Sequence, residues 1–119
     1  MSWKDSALKH AKGESPKEAC GLVCLHKGVE IYWPCRNGDE LPTEGFVLHP
    51  DDWMEAEDTV EEIVGVFHSH PIGSAQASEV DISSSKSVEL PFYICNPDTE
   101  EWSEFDPFLT KIEKTLESC

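Results

Sequence analysis

The chain has 119 residues, a length typical of one small domain that can bury a core without disulfides or a metal to hold it together. Its 24 acidic and 9 basic residues give a formal net charge of −15. Because such a surface repels phosphate backbones and anionic lipids, the composition argues against nucleic-acid and membrane binding and favours a basic partner surface.

Targeting and redox signals point to the interior of a cell. No apolar run approaches the roughly 18–20 residues that span a bilayer, and the N-terminal stretch lacks a signal-peptide core. The five cysteines, at irregular spacing, predict free and mostly buried thiols in a reducing compartment. We therefore expect a cytoplasmic protein.

Apolar periodicity divides the chain into helices and strands. In chain order it predicts a helix over residues 2–12, a β-hairpin within 18–35, a short strand over 46–50, a helix over 50–62, a strand over 63–70, a loop over 71–77, a short helix from Ser78, strands over 90–97 and 101–108, and a terminal helix or linker over 109–119. Asp51 or Asp52 is the expected N-cap of the second helix. This order predicts a mixed α/β (α+β) fold, with a mixed sheet flanked by helices.

Two histidines lie at the end of the strand predicted over residues 63–70. Side chains alternate faces along a strand, so His68 and His70 point the same way, about 7 Å apart. Pro71 ends the strand, and the loop that follows is long enough to bring the carboxylate of Asp81 back to the pair. Three nitrogen and oxygen ligands with one open position are typical of a catalytic zinc.

Each part of this pattern has a simpler interpretation. An isolated His-x-His pair is more often a surface or core feature than a metal site. Ser78 and Asp81 form the Ser-x-x-Asp pattern of a helix N-cap with a capping-box acid. The interpretations are compatible, because a cap that fixes the first helical turn also fixes Asp81 toward the histidines.

A hydrolytic zinc also needs a base that takes a proton from water and passes it to the leaving amine. Glu18 is the candidate, because it directly precedes an apolar strand at the edge of the predicted core. Most other glutamates lie in acidic clusters, which are typical of a solvated face.

These residues resemble the JAMM metalloprotease family, also called MPN+ or JAB1/MPN. The family pattern is a distant glutamate, then His-x-His-Pro, six residues and Ser-x-x-Asp, and this sequence matches it at every position: Glu18, His68, His70, Pro71, Ser78 and Asp81. The resemblance implies a curved mixed sheet with helices on both sides, similar to the cytidine-deaminase sandwich. It places the JAMM domain in residues 1–110 and leaves 111–119 as a tail or the start of a linker.

The resemblance also implies a role for each residue. His68, His70 and Asp81 would bind Zn²⁺, with water in the fourth place. Glu18 would act as general base and then as general acid, and Ser78 would donate a hydrogen bond to the oxyanion of the tetrahedral intermediate. The implied reaction is amide or isopeptide hydrolysis of a peptide or protein substrate.

A second stretch, CRNGDELPTEGFVLHPDDW, is similar to the tail assembly protein K family of lambda-like phages. That similarity implies a phage or prophage tail-assembly peptidase in the host cytoplasm or the virion tail. It also implies a tail protein or basic surface as substrate, and an NlpC/P60 peptidase domain in cis or in trans. Two alternatives remain: a non-catalytic tail-assembly module that keeps the fold, and a bacterial JAMM protease that processes a ubiquitin-like sulfur-carrier protein.

Overall fold

The computed structural model of the protein describes residues 2–108, so the helix or linker predicted over 109–119 lies outside the described residues. Three helices and five strands form in this part of the chain. They are α1 (Trp3–Glu14), β1 (Cys20–His26), β2 (Val29–Cys35), α2 (Pro50–Thr59), β3 (Glu62–Ser69), α3 (Glu79–Val88), β4 (Phe92–Cys95) and β5 (Trp102–Phe105).

The five strands form one mixed sheet in the order β2-β1-β3-β4-β5. The predicted hairpin is β1 and β2, and β1 also pairs antiparallel with β3. β3 and β4 are parallel because α3 connects them, and β5 returns antiparallel to β4. Within this sheet Cys20 of β1 lies directly opposite His68 of β3.

Helices cover both faces of the sheet, which confirms the predicted mixed α/β sandwich. On one face Ala7 and Ala11 of α1 are buried against a cluster that includes Phe67. On the other face Ala56 of α2 packs in a core with the alternate residues of the central strands, such as Leu22. The side chain of His68 lies on this second face, where it contacts Phe46 and Phe92.

Two local predictions are wrong. Residues 46–50 do not form a strand; they carry one isolated bridge, between Leu48 and Asn37. The N-cap of α2 is neither predicted aspartate but His49, whose Nδ1 accepts the Asp51 N–H at 3.2 Å, with Pro50 as the first helical residue. Proline suits that position because it lacks the N–H that would be unsatisfied there.

Candidate metal centre

Three side chains from two elements converge at the end of β3. His68 lies on β3, His70 follows the strand directly, and Asp81 lies in the first turn of α3. The Nε2 atoms of the two histidines are 3.2 Å apart. One Asp81 carboxylate oxygen lies 3.0 Å from the first Nε2, and the other oxygen lies 3.2 Å from the second.

This donor set fits a metal ion. Ligands that bind zinc tetrahedrally at about 2.0–2.1 Å lie about 3.3 Å from one another, close to the three separations in this structure. Two imidazoles and one carboxylate also leave a position open for water or substrate, as in catalytic centres. A structural zinc would instead have four protein ligands, so three ligands with one open position fit a catalytic site better than a structural one.

A hydrogen bond on the outer side of the ring orients His70. Its Nδ1 lies 2.9 Å from the carbonyl oxygen of Ser74. Because a carbonyl oxygen only accepts, Nδ1 carries a hydrogen, so when the ring is neutral its lone pair is on Nε2, the atom that faces Asp81 and His68. The Ser74 carbonyl therefore sets the tautomer that a metal ligand needs.

On the Nδ1 side of its ring, packing rather than a hydrogen bond orients His68. Its ring is fully buried, stacks on Phe46 with centroids 4.3 Å apart, and meets Phe92 edge-on at 5.6 Å. Its Nδ1 has no hydrogen-bond partner among residues 2–108. Burial lowers the pKa of His68, which favours the neutral ring that a metal ligand must be.

The centre carries the negative charge of Asp81. Burial by itself would raise the pKa of Asp81, but hydrogen bonds from His68 and His70 together outweigh it and hold the pKa well below its usual range. The hydrogen bond to the same carboxylate raises the pKa of His70, whose ring is less buried than that of His68. A bound cation would replace the proton that His70 now shares with the carboxylate.

Ser78 and Asp81 form the capping box predicted from their spacing. The Asp81 N–H donates to Ser78 Oγ at 3.1 Å, and the Ser78 N–H donates to Asp81 Oδ2 at 2.9 Å. These two bonds fix the first turn of α3 and so aim Asp81 at the histidines. Ser78 Oγ acts here as an acceptor, which leaves its own O–H free to donate to another group.

Glu18 lies beside the two histidines. It is buried just before β1, and its carboxylate lies within 4.8 Å of ligand nitrogens of His68 and His70 in a group that could hold a metal. Burial raises the pKa of Glu18 to about 7, which His70 opposes and Asp81 reinforces. A carboxyl group with that pKa can accept a proton and release it again near neutral pH.

Ser69, between the two histidines, connects Glu18 to them. Its Oγ accepts the N–H of Ala19 at 2.8 Å, and its own N–H donates to the Ala19 carbonyl at 3.0 Å. The residue after Glu18 is thus fixed to the residue between His68 and His70. No sequence pattern assigned this serine a role, and the only available signal was its place inside the His-x-His pattern.

A second connection comes from a loop over residues 37–48, which we call the site loop. The Asn37 side chain donates to the carbonyls of Glu18 and Gly45 at 2.9 and 3.0 Å, and it accepts the N–H groups of Asp39 and Val47 at 3.0 and 3.1 Å. One amide therefore closes the loop and holds it against Glu18. No sequence pattern revealed this role, because only the bond from the Asp39 N–H is local and the other three depend on tertiary placement.

The site loop and α3 form the two walls of a groove, a cavity of about 580 Å³. The groove lining includes Glu18, His70, Ser78 and Asp81, so the candidate metal centre opens directly onto it. A molecule that lies in the groove would therefore reach the metal ligands, the buried carboxyl group and the free serine hydroxyl together.

This fold with this centre defines a JAB-type domain. Residues 2–106 match the family of prokaryotic homologs of the JAB domain, and the chain belongs to that family. The JAMM resemblance stated from the sequence is thereby confirmed.

Three relatives show the breadth of the family. Tail tip assembly protein K of Escherichia phage N15 is 40% identical over 102 residues, which are 86% of this chain and 40% of that protein. The chain therefore spans about 40% of that relative's length. Desampylase of Haloferax volcanii is 27% identical over 92% of this chain and 91% of its own length. A probable TtuB-protein conjugate cleaving protease of Thermus thermophilus is 29% identical over 75% of this chain and 62% of its own.

Solved structures confirm the fold. A protein of Desulfitobacterium hafniense, known from its solution structure, superposes with a TM-score of 0.68 at 25% identity, covering 87% of this chain and 86% of its own. The crystal structure of a JAB1/MPN domain protein of Archaeoglobus fulgidus gives a TM-score of 0.57 at 22% identity, over 89% and 85% of the two chains. The predicted JAB1/MPN-like architecture is thus present.

Two further expectations from the sequence concern a membrane-spanning segment and an NlpC/P60 partner. None of the helices within residues 2–108 is long and apolar enough to cross a bilayer. The names of the three relatives refer to tail assembly and to cleavage of protein conjugates, but none refers to an NlpC/P60 peptidase. The expected NlpC/P60 domain or partner therefore has no support from them.

Proposed function

We propose that this chain is a zinc-dependent JAMM peptidase that hydrolyses an amide or isopeptide bond in a protein substrate. The observation that carries the proposal is the convergence of His68, His70 and Asp81 at 3.0–3.2 Å beside the buried carboxyl group of Glu18. Zinc is favoured because two imidazoles and one carboxylate, with a position left open, are a common ligand set of zinc hydrolases.

In this proposal each residue has one task. His68, His70 and Asp81 hold the zinc, which when bound lowers the pKa of its water and polarises the substrate carbonyl. Glu18 takes a proton from the attacking water and passes it to the departing nitrogen. The free O–H of Ser78 donates to the carbonyl oxygen as negative charge develops there.

We further propose that the substrate belongs to phage tail assembly. This proposal is supported by the 40% identity to a tail tip assembly protein, the highest of the three relatives described above. A conjugate-cleaving peptidase is the second candidate, because the likeness to desampylase extends over 91% of that enzyme and 92% of this chain.

Metal analysis of the purified protein tests the first part of the proposal. Elemental analysis after zinc reconstitution should find one zinc per wild-type chain and little in the His68→Ala and Asp81→Ala variants. A matched His26→Ala variant, changed at a histidine outside the centre, should keep its zinc. Wild-type protein that remains free of zinc would overturn the proposed cofactor.

The Glu18→Gln variant tests the proposed hydrolysis. The neutral amide cannot accept the proton, so hydrolysis should fall by about 100-fold or more while zinc content stays at one per chain. Glu55→Gln, which alters an exposed glutamate of α2, is the matched control and should keep full activity. Equal activity of wild type and Glu18→Gln would remove Glu18 from the mechanism.

The substrate branch is tested with two classes of probe. One is a library of internally quenched linear peptides, and the other is a set of ubiquitin-like proteins joined to lysine through an isopeptide bond. Cleavage of linear peptides alone would support the tail-assembly role, and preference for the isopeptide conjugates would favour the second candidate. A zinc-loaded wild type that cleaves neither class would favour the non-catalytic assembly module.

A further inference from the structure

One wall of the groove is apolar and exposed to solvent. Val80 and Val88 of α3 line it and are 73% and 45% exposed, and Ile72, at 84%, lies beside them in the loop before α3. On the opposite wall Val47 of the site loop is 51% exposed. Aliphatic side chains that gather at the mouth of a reactive centre are typical of a surface that another chain covers.

The same groove is acidic at the site loop. Asp39 and Glu44 are both in its lining, and the lining contains no lysine or arginine. Among the described residues, neither carboxylate has a cationic side chain within ion-pair distance, in contrast to Asp52, which Arg36 binds at 3.0 Å. Two carboxylates that face a cavity without a cationic partner among the described residues favour a cationic group there.

We propose that the groove binds an extended peptide segment of the substrate that carries a lysine or arginine side chain toward Asp39 and Glu44 and an aliphatic side chain toward Val80 and Val88. This inference rests on the proposed function and specifies its substrate. The scissile bond of such a segment lies beside Glu18 and Ser78, because both residues line the same groove.

The shape of the groove favours a peptide over other occupants. The α3 wall offers Val80 and Val88, whereas the site-loop wall combines Asp39 and Glu44 with apolar side chains such as Val47, so the bound molecule carries both kinds of group within a short span. Adjacent side chains of an extended peptide point to opposite sides, which matches walls that face each other. The carboxylates and the chain's charge of −15 disfavour any phosphate-bearing molecule.

A positional library of internally quenched peptides tests the inference. Each sublibrary fixes one position as lysine, leucine, serine or glutamate, and the zinc-loaded wild type is assayed on all of them. Lysine close to the scissile bond should raise kcat/KM at least tenfold over glutamate at that position. Leucine at a neighbouring position should raise it over serine.

Charge reversal identifies the acidic wall. Glu44 is exposed and makes no side-chain hydrogen bond or ion pair with the other residues of 2–108, so Glu44→Lys should leave the fold intact. This variant should lose the preference for lysine and gain activity on the glutamate peptide. Glu40→Lys makes the same charge change on the same loop at an exposed residue outside the groove lining, and it should keep the wild-type preference.

A polar substitution identifies the apolar wall. Val80→Ser should remove the preference for leucine, whereas Met54→Ser, at a 60% exposed residue of α2 outside the groove lining, should leave it unchanged. Binding of labelled lysine and glutamate peptides to the Glu18→Gln variant, measured by fluorescence anisotropy, should show the same order of affinity without turnover.

The outcomes separate this inference from the proposed function. Equal cleavage of the lysine and glutamate peptides would refute the groove assignment and leave the peptidase standing. No cleavage at all would count against the peptidase, and the anisotropy experiment would still test the groove. Equal affinity of Glu18→Gln for the two peptides would overturn the inference in either case.

Discussion

Ser69 connects two parts of the candidate metal centre without being one of its proposed ligands. Its hydroxyl holds Ala19, and through it Glu18, at a fixed place beside His68 and His70. Ser69→Ala leaves the buried Ala19 N–H without a partner, which should lower the free energy of unfolding by about 1–3 kcal/mol. Because Glu18 is then no longer held in place, kcat should fall by about 10- to 100-fold, with KM and zinc content nearly unchanged.

Two measurements check this prediction. Urea denaturation gives the loss of stability, and steady-state kinetics on one cleavable peptide give kcat and KM separately. Ser87→Ala, an exposed serine of α3, is the matched control and should change the free energy of unfolding by less than about 0.5 kcal/mol. A Ser69→Ala variant that loses stability but keeps wild-type kcat would show that the serine only supports the fold.

At the residue scale, the sequence predicted which side chains come together at the candidate site but not which residues hold them in place. The spacing of His68, His70 and Asp81 follows from strand alternation and a capped turn, both of which are local. The hydrogen bond from Asn37 to the Glu18 carbonyl and the stacking of Phe46 on His68 join residues distant in the chain. No local pattern encodes such contacts, so the groups that position the centre emerged only from the structure.

At the scale of elements, the Asn37 side chain gives the site loop four hydrogen bonds, beside backbone bonds such as that from the Glu18 N–H to the Pro42 carbonyl at 2.7 Å. Asn37→Ala removes four hydrogen bonds at once, including the one to the Glu18 carbonyl. Amide hydrogen exchange within residues 39–48 should become faster, and kcat should fall by about 10-fold or more as Glu18 loses its support. Zinc affinity should stay within about twofold of wild type, because the three proposed ligands lie on other elements.

The loop over residues 71–77 supplies an internal control. It is held by different bonds, among them the one from the Asn96 side chain to the Gly73 carbonyl at 2.7 Å. Its hydrogen exchange should not change in Asn37→Ala. Faster exchange throughout residues 2–108 would mean that Asn37 stabilises the whole domain rather than the site loop.

Substitutions at two glycines test how tightly the sheet and α1 pack on the face that α1 covers. A Cβ added at Gly21 of β1 would collide with the ring of Tyr32, whose hydroxyl lies 2.6 Å from His10 Nδ1 of α1. Gly21→Ala should therefore lower the free energy of unfolding by about 1–3 kcal/mol. Gly13 lies in α1 with no atom within 4 Å of the added Cβ, so Gly13→Ala should raise it by about 0.5–1 kcal/mol.

Chemical denaturation of both variants shows whether each substitution raises or lowers the free energy of unfolding. The two substitutions are identical, so the difference between them isolates the contact with Tyr32 from the intrinsic effect of alanine. A Gly21→Ala variant at least as stable as wild type would show that Tyr32 can move aside without loss.

The success of the element predictions follows the same division between local and distant interactions. The hairpin, β3 and the capped start of α3 carry patterns within their own residues, and each was predicted close to its place. Residues 46–50 have the composition of a strand, but Asn37 and the single bridge to Leu48 hold them as loop. His49 is the N-cap of α2 because Pro50, the next residue, occupies the first helical position.

At the scale of the whole molecule, the buried thiols make the fold sensitive to high pH. Burial raises the pKa of Cys20 and Cys35 to about 12 and that of Cys24 and Cys95 to about 11, against 9.0 for a free thiol. Burial also raises the pKa of Tyr32. The folded chain therefore keeps these protons at a pH where the unfolded chain has released them.

The sign of the effect follows from this difference in bound protons. Well below pH 9 the thiols are protonated in both states, and the stabilisation from their raised pKa values is fully present. As pH rises through 9 toward 11–12 the unfolded state ionises first, so the free energy of unfolding should fall steadily. Urea denaturation at intervals from pH 7 to pH 11 measures that fall.

Repulsion within a chain of charge −15 also grows at high pH, and salt separates the two causes. Salt screens repulsion between surface charges, whereas it does not change the burial that raises the thiol pKa values. The loss of stability between pH 8 and pH 10.5 should therefore persist in concentrated sodium chloride. Ultraviolet absorbance of thiolate, measured on a Cys119→Ser variant so that only the four described thiols contribute, should rise together with unfolding and not before it. Stability that becomes independent of pH in high salt would assign the whole effect to surface charge.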